Sequence, residues 1–167
     1  VAVTQQLAKL SAAELAACRN SVEVLDLLCS FKLRPASDHL DLDWAPAPLV
    51  RSFELAHVDE PVVAALRRSL HGDEEINAAY RDHPDTVWEH PVTALEPDVV
   101  AEVAALLTNV RPEVVMAAVP DHVVTAQTSL GVFTFDERRY LHGHLVALQD
   151  FYAHAARQHL AVALWSD

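Results

Sequence analysis

The chain has 167 residues, 51% of them hydrophobic and 22% charged, with three glycines and nine prolines. At the usual share of ~7% a chain of this length carries about a dozen glycines, and Gly72, Gly131 and Gly143 stand too far apart to share a loop, which excludes the P-loop and the dinucleotide-binding turn. Twenty-four acids against twelve lysines plus arginines, a net charge of −12, exclude non-specific nucleic-acid binding and docking on anionic lipid, both of which need clustered cations.

Residues 1–9 alternate and predict an opening strand with Val1, Val3 and Leu7 on one face. Ser11 and Glu14 then form a capping box for a helix running to about Arg19. Ser21 caps a second helix whose apolar stripe is Val24, Leu25, Leu28 and Phe31, and Pro35 ends the region. The segment 38–43 alternates polar and apolar residues. If extended, it puts His39, Asp41 and Asp43 on one face and Leu40 and Leu42 on the other. Asp43 is expected to cap the next helix, which Pro46 and Pro48 confine to starting near Pro48. Leu49, Val50, Phe53 and Leu55 supply its buried side.

A helix beginning around Asp59-Glu60-Pro61 turns Val62, Val63, Leu66 and Leu70 inward and stops at Gly72. Residues 72–85 are polar and acidic and predict a mobile loop, followed by a short strand over 86–90. Pro97 starts a helix with Val99, Val100, Val103, Leu106 and Leu107 on one side, Pro112 starts another carrying Val115 and Met116, and Asp121 caps a shorter one. The strongest pattern spans 136–158, where Leu141, His144, Leu145, Leu148, Phe151, Tyr152 and Ala155 recur at helical spacing. Gly143 interrupts that pattern at about 1 kcal/mol relative to alanine, and close approach of another backbone is the expected compensation. Residues 160–165 form an apolar run of strand length. Strands at both termini predict pairing beside each other, and the fold class is α+β: a single, mainly helical domain over 1–167 with a small sheet that includes the N- and C-terminal strands.

Several segments, in order, resemble the DUF1877 (YfbM-like) family of uncharacterised bacterial proteins. They are the opening strand with Ser11-Ala12-Ala13-Glu14-Leu15, the run Leu40-Asp41-Leu42-Asp43, the helix entry from Val92 through Glu96-Pro97-Asp98 to Val103, and Leu148-Gln149-Asp150-Phe151-Tyr152 with the terminal strand. The chain departs from the family where Trp44 directly follows Asp43, where Pro46 and Pro48 interrupt a helix, and where 73–90 replace a glycine-rich segment. The resemblance implies an α+β fold and brings no established activity.

The candidate chemistry starts from ten histidines. His142 and His144 are two apart, so on a helix they point to different sides and do not make a paired metal site, which needs a spacing of three or four. His39 with Asp41 and Asp43 has the residue types for holding a divalent cation or for acid–base work. Cys18 and Cys29 are too few for a disulfide framework, lie outside any zinc motif, and read as buried thiols in a reducing compartment. Nothing resembles a nucleophile elbow or a secretory signal, and the expected location is cytoplasmic. Arginine outnumbers lysine (Lys9 and Lys32 are the two) and alanine is abundant, a bias that suits a GC-rich bacterial genome. Two functions follow from these residues. One is a non-catalytic protein-binding module of immunity or regulatory type, in which an acidic surface with Trp44 or Trp88 exposed anchors a basic protein partner. The other is a small metal-dependent enzyme using the segment 38–43. The binding candidates are His39, Asp41, Asp43, Trp44, Trp88, His142 and His144, with no cofactor and no assigned metal ligand.

Overall fold

The structure, a computed structural model, describes residues 3–120 and 136–167. Its frame is a five-stranded antiparallel sheet of order β2-β1-β5-β4-β3, made of β1 (Gln5–Leu10), β2 (His39–Asp43), β3 (Glu74–Glu75), β4 (Glu89–Leu95) and β5 (Ala161–Ser166). The first and last strands pair in register from Gln5 against Ser166 to Leu10 against Ala161, so the termini close the middle of the sheet. The opening strand starts later than the alternation predicts, at Gln5.

Strand periodicity sends alternate residues to opposite faces, and both faces are covered. Leu7, Leu42, Leu95, Val162 and Leu164 enter one core with α3 (Pro46–Leu55), α4 (Glu60–His71), α5 (Pro97–Thr108), α6 (Pro112–Ala117) and α7 (Glu137–Arg157). Ala8, Leu10, Val92, Ala94, Ala161, Ala163 and Trp165 enter a second core with α1 (Ala12–Asn20) and α2 (Val22–Cys29). At about 1.5–3 kcal/mol per fully buried large apolar side chain, the first core, with α7 supplying Leu141, Leu145, Leu148, Phe151, Tyr152 and Ala155, is the larger stabilising mass.

Local chemistry explains most boundaries. Ser11 and Glu14 form the capping box, Ser21 accepts from the Val24 amide, and Asp136 accepts from the Arg139 amide at the start of α7. Prolines open α3, α4, α5 and α6 within their first turn, where a missing N–H costs nothing. Gly72 ends α4 at φ 67. A Cβ there meets the Thr93 Cβ at 2.7 Å, so the stop needs glycine for space as well as for conformation.

Five further expectations change. Helix α3 begins at Pro46 and its cap is Ala45, without a side-chain bond; Asp43 is not an N-cap. Phe31 leaves the α2 stripe, standing beyond the helix at φ 62 and 47% exposed. Residues 72–85 are not an unstructured loop: they hold β3 and a 3-10 turn (Ala78–Asp82), and they bury Ile76 and Tyr80. Arg68 and Arg81 pair with Asp73 and Glu75 along the same stretch. The strand expected over 86–90 begins at Glu89 and runs to Leu95, with a cis His90–Pro91 bond. Gly143 is exposed, and a Cβ on it meets nothing within 4 Å, so no backbone approaches it. Val1, the Asp121 cap and Gly131 lie outside the described residues.

Candidate functional site

The predicted face of His39, Asp41 and Asp43 splits. His39 stays on the α1/α2 side, where its ring packs 5.0 Å from Phe31 and edge-on to Trp165 at 6.2 Å between centroids. Burial pulls its imidazole below the usual histidine range, against the opposing effects of the Arg34 carbonyl and the Asp38 carboxylate. Further along, the β1–β2 register slips between Gln5 and Gln6, and Asp43 adopts φ 51. That left-handed turn, which aspartate tolerates better than most residues, carries the Asp43 carboxylate toward α7.

There it meets Tyr140, whose hydroxyl donates to Asp43 Oδ2 at 3.0 Å and accepts from the Trp44 amide at 3.2 Å. The Asp43 amide in turn donates to Asp41 Oδ1 at 2.7 Å. Burial, then the bond to Asp43, push the Tyr140 phenol up to about 12, so it stays a donor throughout the physiological range. One turn further along α7, the His144 ring stands 4.5 Å from that of Tyr140 in an edge-on arrangement. Burial pulls the His144 imidazole down, while Asp43 and Asp41 act in the opposite direction. The fold therefore gathers Asp41, Asp43, Trp44 and His144 around Tyr140, a residue the sequence reading passed over. Its spacing of four from His144 on the best-patterned helix was the available signal.

His142 takes no part. It leaves α7 toward α6, 3.8 Å from Glu113. Trp88 also stands apart from Tyr140, but at the same end of the sheet. One row of paired residues, Asp43, Gln5, Ser166 and Glu89, crosses four strands there. Trp44 follows the first of these in sequence and Trp88 precedes the last. Beyond the row, Thr4 and Asp167 exchange backbone hydrogen bonds, and the Trp88 amide donates to Asp167 Oδ1 at 3.3 Å. Trp44 and Trp88 are 57% and 65% exposed, whereas Trp165 is buried.

Two hollows open at this end. One of about 240 Å³ lies against the row, with Gln5, Glu89, Ser166, His71 and His90 in its wall. The other, of about 380 Å³, has three carboxylates in its wall, Asp26, Asp85 and Asp167, against the single cation of Lys32. Among the described residues no group of three or more histidines, cysteines or carboxylates is placed to hold a metal ion. Cys18 and Cys29 are buried and unpaired with each other, and burial raises both thiols, that of Cys18 to about 11, which keeps them protonated and poor nucleophiles.

At the opposite end of β2 the sequence reading missed a second polar cluster. Lys9, 5% exposed, points from β1 toward α7. Its ammonium lies 3.5 Å from Asp38, 3.2 Å from His154 Nδ1 and 5.1 Å from the centre of the Phe151 ring. Arg34 links Asp38 to Glu14 on α1. The signal was a lysine, one of two in the chain, set among the apolar Leu7, Ala8 and Leu10 of β1.

No helix among the described residues is long and apolar enough to cross a membrane. No protein-family model matches the sequence, and no curated protein matches it. Among solved structures the chain is similar to YfbM from Escherichia coli, a protein of unknown function, with a TM-score of 0.59 at 13% identity over 96% of this chain and 98% of that one. At that identity the likeness establishes the architecture: the chain has an α+β fold like that of YfbM, as the resemblance in its sequence implied.

Proposed function

We propose that the protein is a non-catalytic protein-binding module, of immunity or regulatory type, whose partner presents a basic surface. The observation that carries this reading is Trp44: more than half exposed, yet held by its backbone to Tyr140 and set beside Asp41 and Asp43. A large aromatic side chain left in water on a rigid base loses little freedom when a partner covers it, and such residues dominate interface energies. The surplus of acids steers a cationic partner toward it. The Tyr140 phenol and the buried thiols stay protonated near neutral pH, which suits a scaffold better than a nucleophilic site.

Affinity capture from a bacterial lysate, with identification by mass spectrometry and metal analysis of the purified protein, tests the proposal. The expected result is a basic protein retained by the native chain, released by raised salt and lost from Trp44→Ala, whose truncation removes about 2 kcal/mol of binding. Stoichiometric metal without a retained protein supports the metal-dependent enzyme instead.

A further inference from the structure

Trp44 and Trp88, 44 residues apart in the chain, are brought to one end of the sheet, where their chain neighbours Asp43 and Glu89 stand three strand spacings apart, ~14 Å at about 4.8 Å per strand. Each has a carboxylate at its backbone. Asp43 precedes Trp44 and shares the Tyr140 hydroxyl with its amide. Asp167 accepts from the Trp88 amide and lines the acid-rich hollow. Among the described residues no lysine or arginine pairs with Asp41, Asp43 or Asp167.

An exposed tryptophan whose chain neighbour (Asp43 for Trp44) or amide partner (Asp167 for Trp88) is a carboxylate without a cation matches one side chain above others. Arginine stacks its planar guanidinium on the ring while its N–H fork meets the carboxylate, whereas lysine offers a compact, strongly hydrated point charge. We propose that this end of the sheet is a two-pronged arginine reader: a partner segment crosses it with one guanidinium on Trp44 beside Asp41 and Asp43, and a second on Trp88 beside Asp167. The inference rests on the basic-partner reading above and specifies its chemistry. The span fits an extended segment with arginines four residues apart, at about 3.4 Å per residue. Joining the prongs in one segment makes the second contact intramolecular, so spacing controls affinity.

The test is an NMR titration of the ¹⁵N-labelled protein with capped synthetic peptides, read at the three indole N–H signals. With Arg-Ser-Ser-Ser-Arg, the Trp44 and Trp88 signals move along a single binding curve, and that of buried Trp165 stays. Peptides with adjacent arginines, with one arginine, or with lysines in both places bind at least about tenfold more weakly. Trp44→Ala and Trp88→Ala, both at exposed positions, each abolish the advantage of the four-residue spacing. Two indoles following different curves, a response of one alone, or affinity indifferent to spacing overturns the bridge and leaves the basic-partner reading standing. Absence of any shift with every peptide removes both. Indole shifts that follow the protein's own concentration mean that a second copy covers the surface, and they overturn the proposal.

Discussion

The two ends of strand β2 carry the same residue types and treat them in opposite ways. At its entry Asp38, with a side chain 13% exposed, is held by Arg34 at 2.5 Å and by Lys9 at 3.5 Å, and Arg34 continues to Glu14 at 2.9 Å. At its exit Asp41 is exposed and Asp43 half-buried, and among the described residues their carboxylates accept from a backbone amide and a phenol. Removing a carboxylate from water without a cation costs several kcal/mol, so the sheltered end had to be neutralised from within. The end that still touches water had no such need, and its charge remains available to something outside the chain. Helix α7 serves both ends, giving Phe151 and His154 to the first and Tyr140 and His144 to the second. One end of the strand spends its charge on the fold, and the other presents it.

Asp38→Ala tests the sheltered end and has the largest expected effect. It leaves Lys9 and Arg34 without their shared carboxylate, and breaking a buried pair from one side costs about 3 kcal/mol. Urea denaturation measures it. Replacing both Lys9 and Asp38, as Lys9→Met with Asp38→Leu, is expected to cost less than Asp38→Ala alone, because the buried lysine charge is then not orphaned and Arg34 keeps Glu14. Equal losses for the single and double variants mean that the two ends of β2 do not differ in this way.

At the exposed end Asp43→Ala is expected to cost about 2 kcal/mol, about 1 from the lost Tyr140 hydrogen bond and about 1 from placing alanine at a positive φ. Asp43→Asn keeps an acceptor and tolerates the left-handed backbone, and it should stay within about 0.5 kcal/mol of the native chain. A double-mutant cycle of Asp43→Ala with Tyr140→Phe should return a coupling of about 1 kcal/mol. An N-cap aspartate shows none, so the cycle separates the structure from the capping role that the spacing suggested.

Each end also holds a histidine whose imidazole burial pulls below the usual range: His39, facing Phe31, Trp165, Arg34 and Asp38, and His144, facing Tyr140, Asp41 and Asp43. A depressed histidine binds its proton more readily in the unfolded chain, so stability rises with pH through this window. The contribution is complete above the unfolded value, about 6.5, and is lost as pH falls toward the folded values. Denaturation midpoints should therefore drop between pH 7 and pH 5. His144→Phe and His39→Phe should each flatten part of that slope, and the two variants assign it between the ends. An unchanged slope in both rules out these rings as its source.

What was legible in the sequence was whatever local chemistry decides. Ser11, Ser21, the helix-opening prolines and the α7 stripe marked their elements because caps and periodicity act over a few residues, and the alternation of the first strand and the apolar run of the last marked two strands able to pair. Asp43 was misread for the converse reason. Its spacing before a helix fitted a cap, but its conformation comes from a slipped register with β1 and from a tyrosine 97 residues away. The segment 72–85 was misread because its polar composition hid Ile76 and Tyr80, whose burial depends on α1 and α2 arriving from elsewhere. His144 and Asp43 were both singled out, yet no rule of spacing joins residues that meet only through the fold.

Gly143 offers the smallest effect and the cleanest control on the comparison. It lies in α7 between Tyr140 and His144, within the part of the helix that serves Asp43. Interior glycine costs about 1 kcal/mol relative to alanine through the backbone freedom it loses on folding. Here that loss has no steric return, because a Cβ at this position meets nothing within 4 Å. Gly143→Ala should therefore raise stability by about 1 kcal/mol in thermal or urea unfolding while leaving the Trp44 indole signal where it is. Gly72→Ala should do the reverse, since its φ of 67 and the Thr93 Cβ leave no room. If Gly143→Ala stabilises the protein and also moves the Trp44 signal, the backbone of α7 between Tyr140 and His144 positions Trp44, and the charge shown at the exposed end of β2 is a property of that helix as well as of the strand.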